Sequence, residues 1–279
     1  MHPIIHEIKE SLKGVYSESE AGALAKLLLV EVFGFSTLEL YGGKDKVISE
    51  KERSLLNDII KRLLQNEPIQ YILGVETFCG LNFRVDKNVL IPRPETQELV
   101  EWILSDNKNL KDGRILDIGT GSGCIAITLA KNLPEVEVEA WDVSKGALQI
   151  ATQNASDNEV RVHFVEQDVL AFIPQGTYFD VMVSNPPYIT EVEKNEMEAN
   201  VLEWEPETAL FVQDNDALLF YRKIAALGCV MLKPGGMLYF EINRVYGAEM
   251  VEMLNGMGYS FVELRKDLFG NDRMVKATK

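Results

Sequence analysis

Cysteine is scarce in this sequence. The three cysteines, Cys79, Cys124 and Cys229, lie far apart and are odd in number. They form neither a CxxC pair nor a disulfide framework, so a reducing, cytoplasmic setting is expected. Histidine is equally rare. His2, His6 and His163 make no metal-spaced cluster with cysteines or acids, and no metal is expected. His2 and His6 are placed to share a helix face, but position 2 is expected to fray. Long apolar runs are missing as well. The most apolar early stretch, residues 21–30, contains Lys26 and is too short to span a bilayer. Met1-His2-Pro3 is not followed by a long apolar segment, so neither a signal peptide nor a membrane partner is expected. Positive charge is outweighed, with 28 basic against 43 acidic residues and a net charge of −15. A protein that lives on phosphate contacts usually carries a basic face. Bare nucleic acid is therefore disfavoured as the main ligand, and a basic protein partner is favoured.

What is present suits a globular protein: 46% of residues are hydrophobic and 25% charged. The length allows one large domain or two smaller ones. Residues 1–75 read as a small helical bundle. Ile4, Ile5, Ile8 and Leu12 recur at helix spacing, and Gly14 ends that segment. Ser17 with Glu20 fits a capping box before the apolar run 21–35. A short helix is expected over 36–41, stopped by Gly42-Gly43. Ser49 with Glu52 is a second capping box, ahead of a stripe of Leu55, Leu56, Ile59, Ile60, Leu63 and Leu64.

Residues 76–91 change character. Thr77-Phe78 and the run 81–85 flank Gly80 and predict a hairpin that links two domains. Pro94 then opens a helix through Glu98, Leu99, Trp102 and Ile103. From Arg114 onward strands and helices alternate. Strands are expected at 115–118, 136–141, 161–167, 179–184, 237–242, 259–264 and 273–278. Helices are expected at 124–132, 144–155, 217–231 and 246–257, and Lys233-Pro234-Gly235-Gly236 is expected to turn. Such alternation predicts a mostly parallel sheet covered by helices on both faces. The last two strands have no helix between them and predict an antiparallel edge.

Three features carry chemistry. The first is Asp117-Ile118-Gly119-Thr120-Gly121-Ser122-Gly123, set between a strand and a helix. Glycines there permit a tight turn and close backbone approach to a ligand. The GxGxG spacing is neither the GxGxxG of dinucleotide folds nor a P-loop, and a plain turn remains a reading of it. The second is a pair of acids at strand ends. Asp142 is placed to accept ribose hydroxyls, the alternative being a surface acid that caps the next helix. Asp168 is placed to meet an adenine amino group, with Val169 packing on the base. All three positions fall at the carboxyl ends of parallel strands, where open α/β sheets bind ligands.

The third feature is Asn185-Pro186-Pro187-Tyr188, directly after the fourth strand of the alternating region. Neither proline has an N–H, so the strand cannot pair onward through them. The Asn185 and Pro186 oxygens are left as acceptors and Tyr188 offers an aromatic face. That set suits a planar NH2 group, the alternative being a plain Pro-Pro turn.

Together the glycine loop, the strand-end acid and the Asn-Pro-Pro-Tyr motif resemble the amino-methyltransferase branch of the class I methyltransferases. The segments Glu67-Pro68-Ile69-Gln70-Tyr71-Ile72-Leu73-Gly74 and Leu90-Ile91-Pro92-Arg93-Pro94-Glu95-Thr96 extend the likeness. They resemble the hallmarks of the release-factor glutamine methyltransferase family over essentially the whole chain. That resemblance implies a Rossmann-like α/β methyltransferase domain over residues 92–279, with a seven-stranded sheet. It implies residues 1–75 as a substrate-docking domain and S-adenosylmethionine as cofactor.

The implied reaction is methyl transfer to the N5 amide of the glutamine in the Gly-Gly-Gln motif of class-one peptide release factors. Gly119, Thr120, Gly121, Ser122, Gly123 and Asp142 would hold the cofactor, with Asp168, Val169 and Asn185 beside it. Asn185, Pro186, Pro187 and Tyr188 would hold the glutamine. Asn185 and Pro186 would grip the amide hydrogens, and Tyr188 would add a cation–π contribution of about 0.5–2 kcal/mol. Some relatives carry an aromatic residue where Val169 stands. A ribosomal-protein glutamine, or an adenine amino group in nucleic acid, is the alternative target. A monomer is expected.

Overall fold

The computed structural model describes residues 2–42, 46–190, 193–196, 199–212 and 216–279. The chain divides into two compact units, Met1–Leu73 with Glu198–Trp204, and Gly74–Met197 with Glu205–Lys279.

The first unit is helical: α1 (Pro3–Ser11), α2 (Glu18–Glu31), α3 (Thr37–Tyr41), α4 (Glu50–Leu63) and α5 (Ile69–Leu73). Ser17, Ser36 and Ser49 each cap a helix while Glu20, Glu39 and Glu52 reach back, which makes three reciprocal capping boxes. Gly42 caps α3, whereas Gly43, expected to share that stop, lies outside the described residues. The apolar stripes meet in one core of Ile5, Ile8, Leu12, Leu28, Leu29, Leu56 and Leu63. His2 is not frayed. Its Nδ1 accepts the Ile4 N–H at 3.4 Å, its Nε2 lies 3.0 Å from the Lys46 carbonyl, and its ring stands edge-on to Phe35. The Trp204 indole, far along the chain, donates to the Gln65 carbonyl at 3.1 Å, so this unit takes in a segment remote in sequence.

The second unit opens with the hairpin β1 (Val75–Phe78) and β2 (Leu81–Arg84). Cys79 and Gly80 both have positive φ, the pattern of a two-residue type I′ turn. The helix α6 (Pro94–Asn107) follows, with Pro94 in its first turn. Next come β3 (Arg114–Ile118), α7 (Cys124–Asn132), β4 (Glu137–Asp142), α8 (Lys145–Asp157), β5 (His163–Glu166) and β6 (Phe179–Ser184). The short helices α9 (Ala199–Trp204, in the first unit) and α10 (Glu207–Leu210) precede α11 (Leu219–Met231). The chain closes with β7 (Leu232–Glu241), α12 (Gly247–Gly256), β8 (Ser260–Lys266) and β9 (Asp272–Thr278).

The seven-stranded sheet has the order β5-β4-β3-β6-β7-β9-β8. The first five strands are mutually parallel, and β9 pairs antiparallel with both β7 and β8. The antiparallel strand therefore sits one place in from the edge. The expected turn at Lys233-Pro234-Gly235-Gly236 proves to be a bulge inside β7: Phe179 pairs with Leu232, but Val181 already pairs with Met237. Strand alternation sends Ile115, Val181, Val183 and Tyr239 to the face under α6 and α7. Leu116, Ile118, Met182, Leu238 and Phe240 face α11 and α12. The hairpin is clamped to the first of these faces, where Asn154 on α8 accepts the Arg84 N–H at 2.7 Å and donates to the Arg84 carbonyl at 3.1 Å.

Candidate active site

The glycine loop forms at the carboxyl end of β3. The N–H groups of Gly119 and Thr120 both donate to the Trp141 carbonyl at 2.9 Å, which folds the loop back over β4. The Thr120 hydroxyl donates to Asp117 at 2.6 Å. Burial pushes the Asp117 carboxyl up to about 7, against the pull of that hydrogen bond. Gly119, Gly121 and Gly123 all take positive φ, but for different ends. A Cβ on Gly119 would have only the Asn185 carbonyl near it, at 4.0 Å, on the side of the cleft. A Cβ on Gly123 would sit 2.8 Å from Ile127 and 3.2 Å from Ala151. Gly123 therefore lets α7 pack on α8, and it is not on the cleft wall.

Asp142 ends β4. Its Oδ2 accepts the Gly121 N–H at 2.9 Å and its Oδ1 the Ser144 N–H at 2.8 Å. Burial raises its pKa, and the backbone hydrogen bonds pull it back. Each oxygen keeps a further lone pair for an incoming hydroxyl. Asp168 stands two residues beyond the end of β5, in the loop, where its Oδ1 accepts the Leu170 N–H at 2.8 Å.

These groups surround one cleft of about 1080 Å³, its open mouth included. Gly119, Thr120, Gly121, Ser122, Asp142, Asp168, Val169, Asn185, Pro186 and Pro187 all line it. Cys124 does too, and burial pushes its thiol up to about 12, so it stands there as a neutral group.

The Asn-Pro-Pro-Tyr segment leaves β6, whose last residue is fixed by the Ser184 hydroxyl donating to the Ile118 carbonyl at 2.7 Å. Tyr188 is not on the cleft wall. Its ring packs against the core under α11 and α12, and burial raises its pKa. Tyr188 stays partly exposed, and the charged groups that act on it include Arg93, itself on the cleft wall. Its carbonyl accepts from Asn243 at 3.4 Å, and Asn243 also donates to Glu193 at 2.9 Å. Glu193 in turn accepts the Thr190 N–H and hydroxyl, both at 2.8 Å. Ile189 bridges to the last residue of α10 and the segment after it through backbone bonds of 2.9 Å with Leu210 and Val212. The motif is thus held by its flanks as well as by the packing of the Tyr188 ring.

Family descriptions match both parts of the chain: the PrmC N-terminal domain over residues 4–74 and the Methyltransferase small domain over 95–206. The release factor glutamine methyltransferase of Bacteroides thetaiotaomicron is 52% identical over 100% of both chains. That of Flavobacterium psychrophilum is 46% identical over 96% of this chain and 95% of its own. This chain belongs to the release factor glutamine methyltransferase family. A crystal structure of a methyltransferase from Pyrococcus furiosus shares the fold, with a TM-score of 0.53 and 21% identity over 80% of this chain and 98% of its own.

The chain is accordingly an enzyme of the class I methyltransferase fold, and its cofactor is S-adenosylmethionine. The cleft suits that group chemically. It offers a strand-end carboxylate with free lone pairs, an open glycine backbone, and apolar walls from Ile118, Val169 and Ile224. Among the described residues, no helix of this methyltransferase is long and apolar enough to cross a membrane.

A further group of residues borders the same cleft. Pro92, Arg93 and Thr96 line the cleft. Arg93 is ion-paired to buried Glu205, which also accepts the Ile91 N–H at 3.3 Å. Thr96 donates to buried Glu241 at 2.6 Å. One signal was available for Glu241: it is a lone acid inside the apolar run Leu238-Tyr239-Phe240-Glu241-Ile242. A charge there must be paired or neutralised.

Proposed function

We propose that this enzyme methylates the N5 amide nitrogen of a glutamine side chain, that of the Gly-Gly-Gln motif in class-one peptide release factors. The observation that carries the reading is Asn185. Its NH2 donates to Thr96 at 3.4 Å, which leaves its oxygen as an acceptor at the cleft, beside a proline that has no N–H to offer. The full-length relatives named for this activity support the choice of substrate.

An amide nitrogen is a poor nucleophile because its lone pair is delocalised into the carbonyl. S-adenosylmethionine, when bound, supplies a methyl group on a positively charged sulfur, a donor strong enough for such a nitrogen. Asp142 would accept ribose hydroxyls, while Gly119, Thr120, Gly121 and Ser122 give the backbone close approach. Asp168 and Val169 would flank the base.

The Asn185 side-chain oxygen and the Pro186 carbonyl would each accept one hydrogen of the substrate NH2 and aim its lone pair. Positioning of this kind can supply roughly 7–11 kcal/mol. As positive charge builds on nitrogen, both acceptors bind more strongly, which favours the transition state over the ground state. The extra proton then leaves the nitrogen for water. Glu241 is not the base, because Thr96 stands between it and Asn185. The helical unit would serve as the docking element, and an acidic enzyme of net charge −15 suits a basic partner.

Labelled cofactor, offered with purified release factor, ribosomal protein and DNA in parallel, tests the reading. Label on the release-factor glutamine supports it. Label only on ribosomal protein or DNA rejects it.

A further inference from the structure

We propose that Thr96 and Glu241 are positioning residues that decide which end of the Asn185 amide faces the substrate. The proposal rests on the glutamine-methylation reading above and concerns how its main acceptor is oriented.

A side-chain amide can be turned by half a revolution at almost no steric cost, so only its partners fix it. A wrong turn is serious here. An NH2 group presented to a substrate NH2 gives two donors and no hydrogen bond. Proton counting along the buried chain removes the ambiguity. Glu241 is 2% exposed and Thr96 3%. An ionised Glu241 has no hydrogen to give, so at 2.6 Å the Thr96 hydroxyl must donate to it. The hydroxyl has a single hydrogen, now spent, and can only accept from its other neighbour. The neighbour at 3.4 Å must therefore be the Asn185 Nδ2, and the Asn185 oxygen is left for the cleft.

The carboxylate is supported in that state. It lies by the start of α6, where Thr96 belongs to the first turn and the helix end favours negative charge. Arg273 on β9 and Arg93 ahead of α6 favour the ionised form, and Glu95 opposes it. Among the described residues, Tyr188 and, on α11, Tyr221 also feel its charge. The Tyr221 hydroxyl donates to the Glu241 backbone carbonyl at 3.2 Å.

Protonation would undo the arrangement. A neutral Glu241 can donate to Thr96, which frees the hydroxyl hydrogen for the Asn185 oxygen and turns the amide around. Burial, partly offset by Thr96, raises the Glu241 carboxyl to about 7, so the reversal falls near neutral pH.

Three variants and one spectroscopic signal test the relay in the full-length enzyme with intact release factor. Thr96→Val removes the hydroxyl at constant shape. It should lower kcat by about tenfold or more, with the cofactor KM within about twofold. Thr96→Ser should recover most of that loss. In wild type, kcat should fall as pH drops through about 7, and Glu241→Gln should abolish that limb. The Asn185 side-chain NH2 resonance should shift over the same pH range in wild type and stay still in Glu241→Gln. That signal needs no substrate, so it judges the relay even if the release factor proves not to be methylated. The Asp117 carboxyl, which burial also raises to about 7, bonds to Thr120 of the glycine loop, so its effect should fall on the cofactor KM. Retention of kcat in Thr96→Val, equal damage in Thr96→Ser, or an Asn185 resonance that ignores pH would overturn the proposal.

Discussion

The Asp142 carboxylate accepts the Gly121 N–H at 2.9 Å and so ties the end of β4 to the glycine loop of β3. One side chain thus organises the loop and presents lone pairs to the cleft. Replacing it with alanine should raise the cofactor dissociation constant by about tenfold or more, because the loop loses its anchor as the ribose loses its acceptor. Calorimetric titration with cofactor reads this directly. An unchanged constant would remove Asp142 from the binding role.

Asn185→Ala should behave in the opposite way. Turnover should fall by about 100-fold or more, as for loss of a preorganised polar group at a reacting centre. Cofactor affinity should stay near its wild-type value. Single-turnover rates beside the same calorimetry separate the two effects, and near-normal turnover would end the assignment.

The glycines of the loop make a sharper comparison. Both Gly119→Ala and Gly123→Ala force a side chain into positive φ, at a cost of about 1–2 kcal/mol each. Only Gly123→Ala also collides with Ile127 and Ala151. It should therefore lower the melting temperature more than Gly119→Ala. Gly119→Ala, whose Cβ would face the cleft, should weaken cofactor binding more than it weakens the fold. Thermal melts with and without cofactor check the crossed pattern, and a uniform loss in both would contradict it.

Stability should also depend on pH through Asp117 and Glu241. Burial raises both carboxyls to about 7, above their unfolded values near 4. Between those values the folded state holds protons that the unfolded state has lost, so their contribution to stability falls as pH rises. It is complete below about 4 and gone above about 7. Carboxylates such as Asp267 and Glu193, whose pKa values are lowered by hydrogen bonding, act in the opposite sense at lower pH. The informative quantity is the difference between proteins. Relative to Glu241→Gln, wild type should lose melting temperature between about pH 4 and about pH 7. Parallel curves would show that Glu241 does not titrate in that window.

Much of this was legible in the sequence, and the rest was hidden for identifiable reasons. Short-range signals read well. Ser17 with Glu20 and Ser49 with Glu52 announced capped helices because both partners lie within one turn. Gly80 announced a hairpin because the turn itself demands positive φ. The strand–helix alternation gave the parallel sheet, since buried strands have few other patterns. Relationships across long sequence separations were not visible. The Thr96–Glu241 pair and the Trp204–Gln65 contact join distant parts of the chain. His2 looked free to fray because its partners, Phe35 and Lys46, come from elsewhere. Tyr188 read as a substrate platform from its motif, and its packing on the core beneath it was not legible there because that core is assembled from distant strands and helices. Gly123 read as a ligand glycine, and only the neighbouring helix showed that packing requires it.

The central claim is that the Asn185 cleft presents an amide clamp to a release-factor glutamine. Its most direct test is mass spectrometry of intact class-one release factor after incubation with this enzyme and S-adenosylmethionine. One added methyl group, mapped to the glutamine of the Gly-Gly-Gln motif and lost with Asn185→Ala, is the predicted result. An unmodified glutamine, or a methyl group elsewhere that persists in Asn185→Ala, would contradict it.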